Sequence, residues 1–365
     1  MKKLSTLILA VSIFFSFSYT ANGQPTPGSS EISIKTVVDP GLELITIMMW
    51  LSGKYPMPMD SQYKSDVWRH FSKYKQHPAL DRMKKAEMYP NFTEMGLLFS
   101  GFPDIKLEVP EKNSWYEKKD GKEHIVGILN DARVFARVTN FWTFYQKHSA
   151  DYARMSGDFA AELNKKEVLP AIDSFFRNAP GGERPEVTIY LEPLNNWGAH
   201  AIDFMRLRNE PNGDRVTFQI GPAEQDLQLP DAPVIFQANS LTIQNVWHEA
   251  SHVYLRKALA ENKTRIAALE RLFNASALAS QNIKTWDYAI EENLVRAIVA
   301  VVTKQKFGED AYKREIAGQT QRGFIYTADI AKLIVEKTSA GNSTAFTDLM
   351  PEILTMLETK PDAKK

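Results

Sequence analysis

The chain has 365 residues, 44 basic and 44 acidic side chains, and no cysteine. Disulfides, iron–sulfur clusters and thiol nucleophiles are excluded, so any metal must be held by His, Asp or Glu. The balanced charge leaves no electrostatic footprint for nucleic acid or an anionic membrane surface.

At the start of the chain, Lys2 and Lys3 precede an uncharged apolar run, Leu7 to Phe17, followed by the small residues of Ala21-Asn22-Gly23. This pattern predicts a secretory signal peptide over 1–23. The run is too short for a retained span, which needs about 18 or more apolar residues. Removing it leaves 342 residues with 42 basic and 44 acidic side chains, enough chain for a large core. A lipid anchor at the cleavage site would need a cysteine. The expected product is therefore secreted or periplasmic, with no membrane anchor after signal removal.

Residues 24–40 read as a leader, beginning with the Pro/Gly/Ser-rich "QPTPGSS". Residues 41–178 read as a helical region. "GLELITIMMWLSG" predicts a helix that stops at Gly53, with Pro56 just beyond. Residues 103–123 are loop-like, and "EKKDGKEH" within them reads as solvated. Residues 131–164 carry long helical periodicity, with Phe135, Phe141, Trp142 and Tyr145 as packing stripes.

"NAPGGERPE" (178–186) breaks the pattern, and the region 179–365 is expected to carry the chemistry. Val187, Ile189 and Leu191 alternate with Thr188, Tyr190 and Glu192, as in a half-buried strand. Residues 201–221 read as two strands joined around Asn212-Gly213, and "APVIFQA" (232–238) as another, giving a sheet over 186–237. Helices over 240–261 and 285–306 follow. Helices, one group of strands, then helices again predict an α+β fold.

Asn239 or Ser240 can cap the first of those helices. It contains His248-Glu249-Ala250-Ser251-His252. A spacing of four sets both imidazoles on one face, a turn apart, where both can reach one ion. Glu249 lies about 100° round the helix, off the ligand face but within reach of a water beside the ion. This H-E-x-x-H pattern is that of zinc-assisted hydrolysis. The plainer alternative is a solvated His/Glu face on an ordinary helix.

A catalytic ion needs a third protein ligand. No histidine follows His252. Among the downstream acids, Glu291 and Glu292 interrupt the largely apolar "WDYAIEENLVRAIVAVV", where burial would be costly without compensation. Glu291 aligns with Asp287 on the wetter side, and Glu292 with Tyr288, Val295 and Val299 on the inner one. Helical geometry thus favours Glu292 and leaves Glu291 open. A structural Glu292–Arg296 pair at i,i+4 would account for the same residues without a metal. His200 could line a cleft, though a lone histidine beside a strand is more often structural.

The pattern of His248, Glu249 and His252 followed by a glutamate on a later helix resembles the gluzincin metallopeptidases, the thermolysin-like group. "WHEASHVYLRKAL", "EENLVRAIVAVV" and "RGFIYTADIAKLI" are more closely similar to a secreted bacterial family catalogued as a domain of unknown function and regarded as candidate metallopeptidases. The family pattern of Glu, then Arg four residues on, then Ala is matched by Glu292, Arg296 and Ala297, and favours Glu292 over Glu291. The gap from His252 to Glu292 is longer than in thermolysin-like enzymes, which suggests an inserted helix in "TRIAALERLFNASALAS". Arg296 stands where those enzymes carry an acidic residue, so the orienting partner of the histidines is unassigned.

The resemblance implies a zincin-like fold and one zinc ion per chain, held by His248, His252 and Glu292. Glu249 would be the general base for hydrolysis of a peptide or protein substrate. Tyr326 in "GFIYTAD" would be a candidate oxyanion donor, with packing at a helix start as its alternative role. In zincins a strand at the sheet edge pairs with an extended peptide; residues 187–204 could supply it, with Asn196 and Trp197 as weaker candidates for the cleft. The rival reading is a catalytically silent, metal-containing periplasmic binding protein.

Overall fold

Asp39 and Pro40 start the first helix, the Asp39 carboxylate accepting from Gly41 N–H (2.8 Å) and Leu42 N–H (3.1 Å). The computed structural model describes residues 34–176, 187–210, 216–222, 229–281, 283–338 and 346–363. The expected signal peptide, the start of the leader, the 178–186 break and the Asn212-Gly213 turn lie outside them. No helix among the described residues is long and apolar enough to cross a membrane.

In chain order the elements are β1 (Ile34–Val37), α1 (Pro40–Leu51), α2 (Gln62–Phe71), α3 (Asp81–Lys85), β2 (Phe99–Ser100), β3 (Lys106–Leu107), α4 (Gly121–Val138), α5 (Phe141–Lys147), α6 (Ser149–Lys165) and α7 (Val168–Phe176). There follow β4 (Val187–Leu191), β5 (Ala199–Ala201), α8 (Phe204–Arg208), β6 (Val216–Ile220), α9 (Ser240–Glu261), α10 (Lys263–Ala267), α11 (Trp286–Phe307), α12 (Glu309–Gln321), α13 (Thr327–Thr338) and α14 (Phe346–Glu358). The fold is α+β: mostly helical, with a mixed sheet ordered β1-β4-β6-β5. β1, β4 and β6 run parallel, and β5 is an antiparallel edge. Every residue of β6 is buried, so both faces of the central sheet are covered.

Several local expectations change. β1 arises from the stretch assigned to the leader and pairs with β4 from Ile34↔Val187 to Val37↔Tyr190. The 131–164 periodicity is divided among α4, α5 and α6, because Asn140 turns into the left-handed region (φ 53°), which asparagine tolerates. "EKKDGKEH" is only half loop; from Gly121 it is the first turn of α4.

Residues 204–208 form α8 instead of a strand. The Asp203 carboxylate accepts from Met205 and Arg206 N–H, and Asn209 closes the turn at φ 58°. "APVIFQA" keeps alternating burial at Val234, Phe236 and Ala238 but joins no sheet. Its backbone is bonded by side chains on α6 and just after it: Arg154 donates to Val234 O, Lys166 to Ala238 O, and Ala238 N–H to Glu162. Elsewhere α1 crosses the segment Pro90–Leu98 backbone to backbone. A Cβ on Gly41 would stand 2.0 Å from Gly96 O, so only glycine fits.

Candidate metal centre

α9 starts as expected: Asn239 Oδ1 accepts from Thr242 N–H at 2.9 Å. Its rotation is fixed by Trp247, which is fully buried and donates Nε1–H to Val168 O at 2.7 Å. The next position then turns toward α11, and His248 and His252 face it together. α11 is apolar and buried along most of its length, and Glu292 is 4 % exposed.

His248 Nε2 and His252 Nε2 stand 3.2 Å apart. Glu292 Oε1 is 3.3 Å from His252 Nε2, and Oε2 is 3.7 Å from His248 Nε2. A small tetrahedral ion bound at about 2.0–2.2 Å holds its ligands about 3.3–3.6 Å apart, so this group could hold a metal ion. Arg296 Nη2 lies 2.8 Å from Glu292 Oε2, yet that oxygen is buried with no hydrogen bond directed at it. Arg296 therefore already faces that oxygen with a positive charge, and an ion held at this carboxylate would share it with the guanidinium.

Glu291 is the missing orienting partner. Its Oε1 lies 2.8 Å from His252 Nδ1, which fixes the tautomer that turns Nε2 inward. Burial, abetted by the charges of His252, Arg296 and Arg322, pushes His248 down to about 3, the neutral form a metal requires. For His252, burial is outweighed by hydrogen bonds to Glu291 and Glu292, and its pKa is raised. Burial likewise opposes ionisation of Glu292, but the histidines and Arg296 hold its carboxyl below the usual range. Arg296 is itself held. Its guanidinium lies 4.0 Å from the Phe324 ring centre, and Nη1 donates to Gln319 Oε1 (2.9 Å). Gln319 and Gln244 both donate to Glu315, tying α12, α11 and α9 together.

A family model for a domain of unknown function, DUF4932, matches residues 115–356, two thirds of the chain. The chain belongs to the DUF4932 family. No curated protein matches it, and no solved structure does. The DUF4932 match takes in both motif helices and the strands β4, β5 and β6, and leaves out β1 and α1.

Within the DUF4932 domain, Glu249 is buried next to the three ligand candidates. Burial raises its pKa against the charges of His252 and His200 and a hydrogen bond from Ala201 N–H. A cleft of about 770 Å³ opens on His248 and Glu249; Asn196, Trp197, Arg296 and Arg322 are among its walls. Trp197 Nε1–H donates to Tyr55 Oη at 2.9 Å and the Asn196 amide to Met57 O, so both wall residues are anchored on the segment after α1. His200, on β5, pairs with Glu94 at 3.4 Å; the Glu94 and Glu249 carboxylates raise its pKa against burial.

Tyr326 is not brought to the cluster. Its hydroxyl donates to Leu272 O at 2.8 Å and its N–H to Asn293 Oδ1, so it ties α11 to the segment after α10. The phenol beside the cluster is Tyr288, half exposed on the first turn of α11. Burial raises its pKa, helped by the charges of Glu292, Glu249 and Glu291 and a hydrogen bond to Glu292. Its i,i+4 spacing to Glu292 was the available signal.

Proposed function

We propose that the protein is a secreted, zinc-dependent metallopeptidase with a gluzincin-like centre on a zincin-like fold, cleaving peptide bonds. The reading is carried by the convergence of His248 Nε2, His252 Nε2 and the Glu292 carboxylate at 3.2–3.7 Å. His248, His252 and Glu292 would hold the ion, one per chain. Zinc bound there supplies Lewis acidity toward water and a substrate carbonyl. Glu249, its pKa raised by burial, takes a proton from the attacking water at its carboxylate and returns it to the leaving amine. Tyr288 replaces Tyr326 as the candidate donor to the developing oxyanion.

β5 supplies the substrate edge. Ile202 N–H donates to Thr217 O and Gly221 N–H to Gly198 O, so residues 198, 200 and 202 face β6. The backbone groups of Ala199 and Ala201 therefore face outward, Ala201 N–H to Glu249, and those of Ala199 have no partner among the described residues and could pair with an extended peptide.

The test is the zinc content of purified protein, wild type beside Glu292→Ala, followed by hydrolysis of a fluorogenic casein by wild type and Glu249→Gln. About one zinc per chain, much reduced in Glu292→Ala, and casein hydrolysis lost in Glu249→Gln with zinc retained support the reading. No bound metal after zinc is supplied, or hydrolysis equal in Glu249→Gln, sinks it.

A further inference from the structure

The cleft is charged unevenly. Of its charged side chains outside the metal group, Lys64 and Asp60 neutralise each other at 2.8 Å, and Arg296 is engaged by Glu292 and Gln319. Arg322 differs: among the described residues it has no ion pair and no side-chain hydrogen bond. It lines the same cleft as His248 and Glu249.

Its backbone is also rigidly presented. Arg322 follows α12, and its N–H donates to Gly318 O and Gln319 O. Gly323 takes φ 96° where a Cβ would stand 2.2 Å from Ala277 O, so the turn is specific to glycine. Phe324 is fully buried beneath the Arg296 guanidinium. Arg322 is exposed on the cleft wall, so its backbone is fixed while its unpaired guanidinium is open to an incoming group, and a guanidinium matches the bidentate geometry of a carboxylate.

We propose that Arg322 anchors a substrate carboxylate, so that the cleft selects peptides carrying one. This specificity rests on the metallopeptidase reading. The carboxylate comes either from a free peptide C-terminus or from an acidic side chain, and the Arg322 chemistry is the same for both.

The experiment reads binding without turnover, using zinc-loaded Glu249→Gln protein and fluorescence anisotropy. The probes are labelled peptides of one neutral sequence: C-terminal acid, C-terminal amide, and amides with an internal Asp or Asn. At least one acid probe should bind about tenfold or more tighter than its neutral twin. Adding Arg322→Gln should bring that ratio near one, with zinc content and neutral-probe affinity unchanged. The acid probe that shows the preference identifies the source. Equal binding of charged and neutral probes, a preference that survives Arg322→Gln, or no peptide binding overturns the proposal. Zinc content and wild-type casein hydrolysis, measured on the same preparations, report separately on the metallopeptidase reading. A protein that hydrolyses casein without preferring acid probes loses only the Arg322 assignment.

Discussion

Glu43 on α1 and Glu292 on α11 are almost equally buried, at 1 % and 4 % exposure, yet their surroundings drive them to opposite charge states. Around Glu292 the neighbours are histidines and an arginine, and the carboxyl is held ionised. Around Glu43 they are hydroxyls and other acids. Tyr63 Oη donates to its Oε2 and lies 2.7 Å from Tyr152 Oη. Burial, aided by the charges of Glu192 and Asp39 and only partly offset by Tyr63, raises Glu43 to about 8. Burial likewise raises Glu192 to about 7. Burial penalises charge at both places, and the partner set decides whether the charge survives. The α1 cluster still serves the cleft. Glu192 accepts from Asn195 Nδ2, and Asn195 Oδ1 accepts from the N–H groups of Trp197 and Gly198, shaping the turn into β5.

The largest test of the contrast is at the metal side. On the proposed hydrolase reading, Glu249→Gln should lower turnover by about 10²–10⁴-fold while zinc stays bound, read by casein hydrolysis and elemental analysis of one preparation. The next is pH. Because Glu43 and Glu192 bind protons more tightly in the folded state, that stability is complete below about pH 4.5 and is lost as pH rises through about 7 to 8. The unfolding free energy from urea titrations should therefore fall by on the order of a few kcal/mol between pH 5.5 and 8.5, and Glu43→Gln should flatten the slope. An unchanged slope in Glu43→Gln would place the titration elsewhere. Glu292 has the opposite sign: its stabilising contribution is present above about pH 4.5 and lost as pH falls further.

Removing the orienting acid is milder. Glu291→Gln should weaken zinc affinity about 10–100-fold in a chelator competition, with the fold intact. Equal affinity would show that the His252 tautomer does not depend on Glu291. The smallest effect belongs to Tyr326→Phe. Loss of its bond to Leu272 O should cost about 1 kcal/mol in urea unfolding and leave hydrolysis unchanged. A large loss of turnover would return Tyr326 to the site.

Helical spacing determined which face carries His248 and His252 and favoured Glu292 on the inward side of α11, because a rigid 3.6-residue period converts sequence distance into direction, and the Asn239 cap marked where α9 begins. Alternation likewise revealed β4. The rest depended on partners distant in sequence. "APVIFQA" has a strand's alternation, but its backbone bonds go to side chains on α6 and just after it, which no local pattern encodes. β1 needed β4, 153 residues further along the chain in their register, to become a strand. Glu291, Tyr288 and Tyr326 share one reach of sequence with the ligands. Whether each orients a histidine, faces the cluster or braces a carbonyl was decided only when α9, α11 and α12 packed together. Side-chain roles at a site are set by three-dimensional neighbours, whereas periodicity reports only the face of the element that bears them.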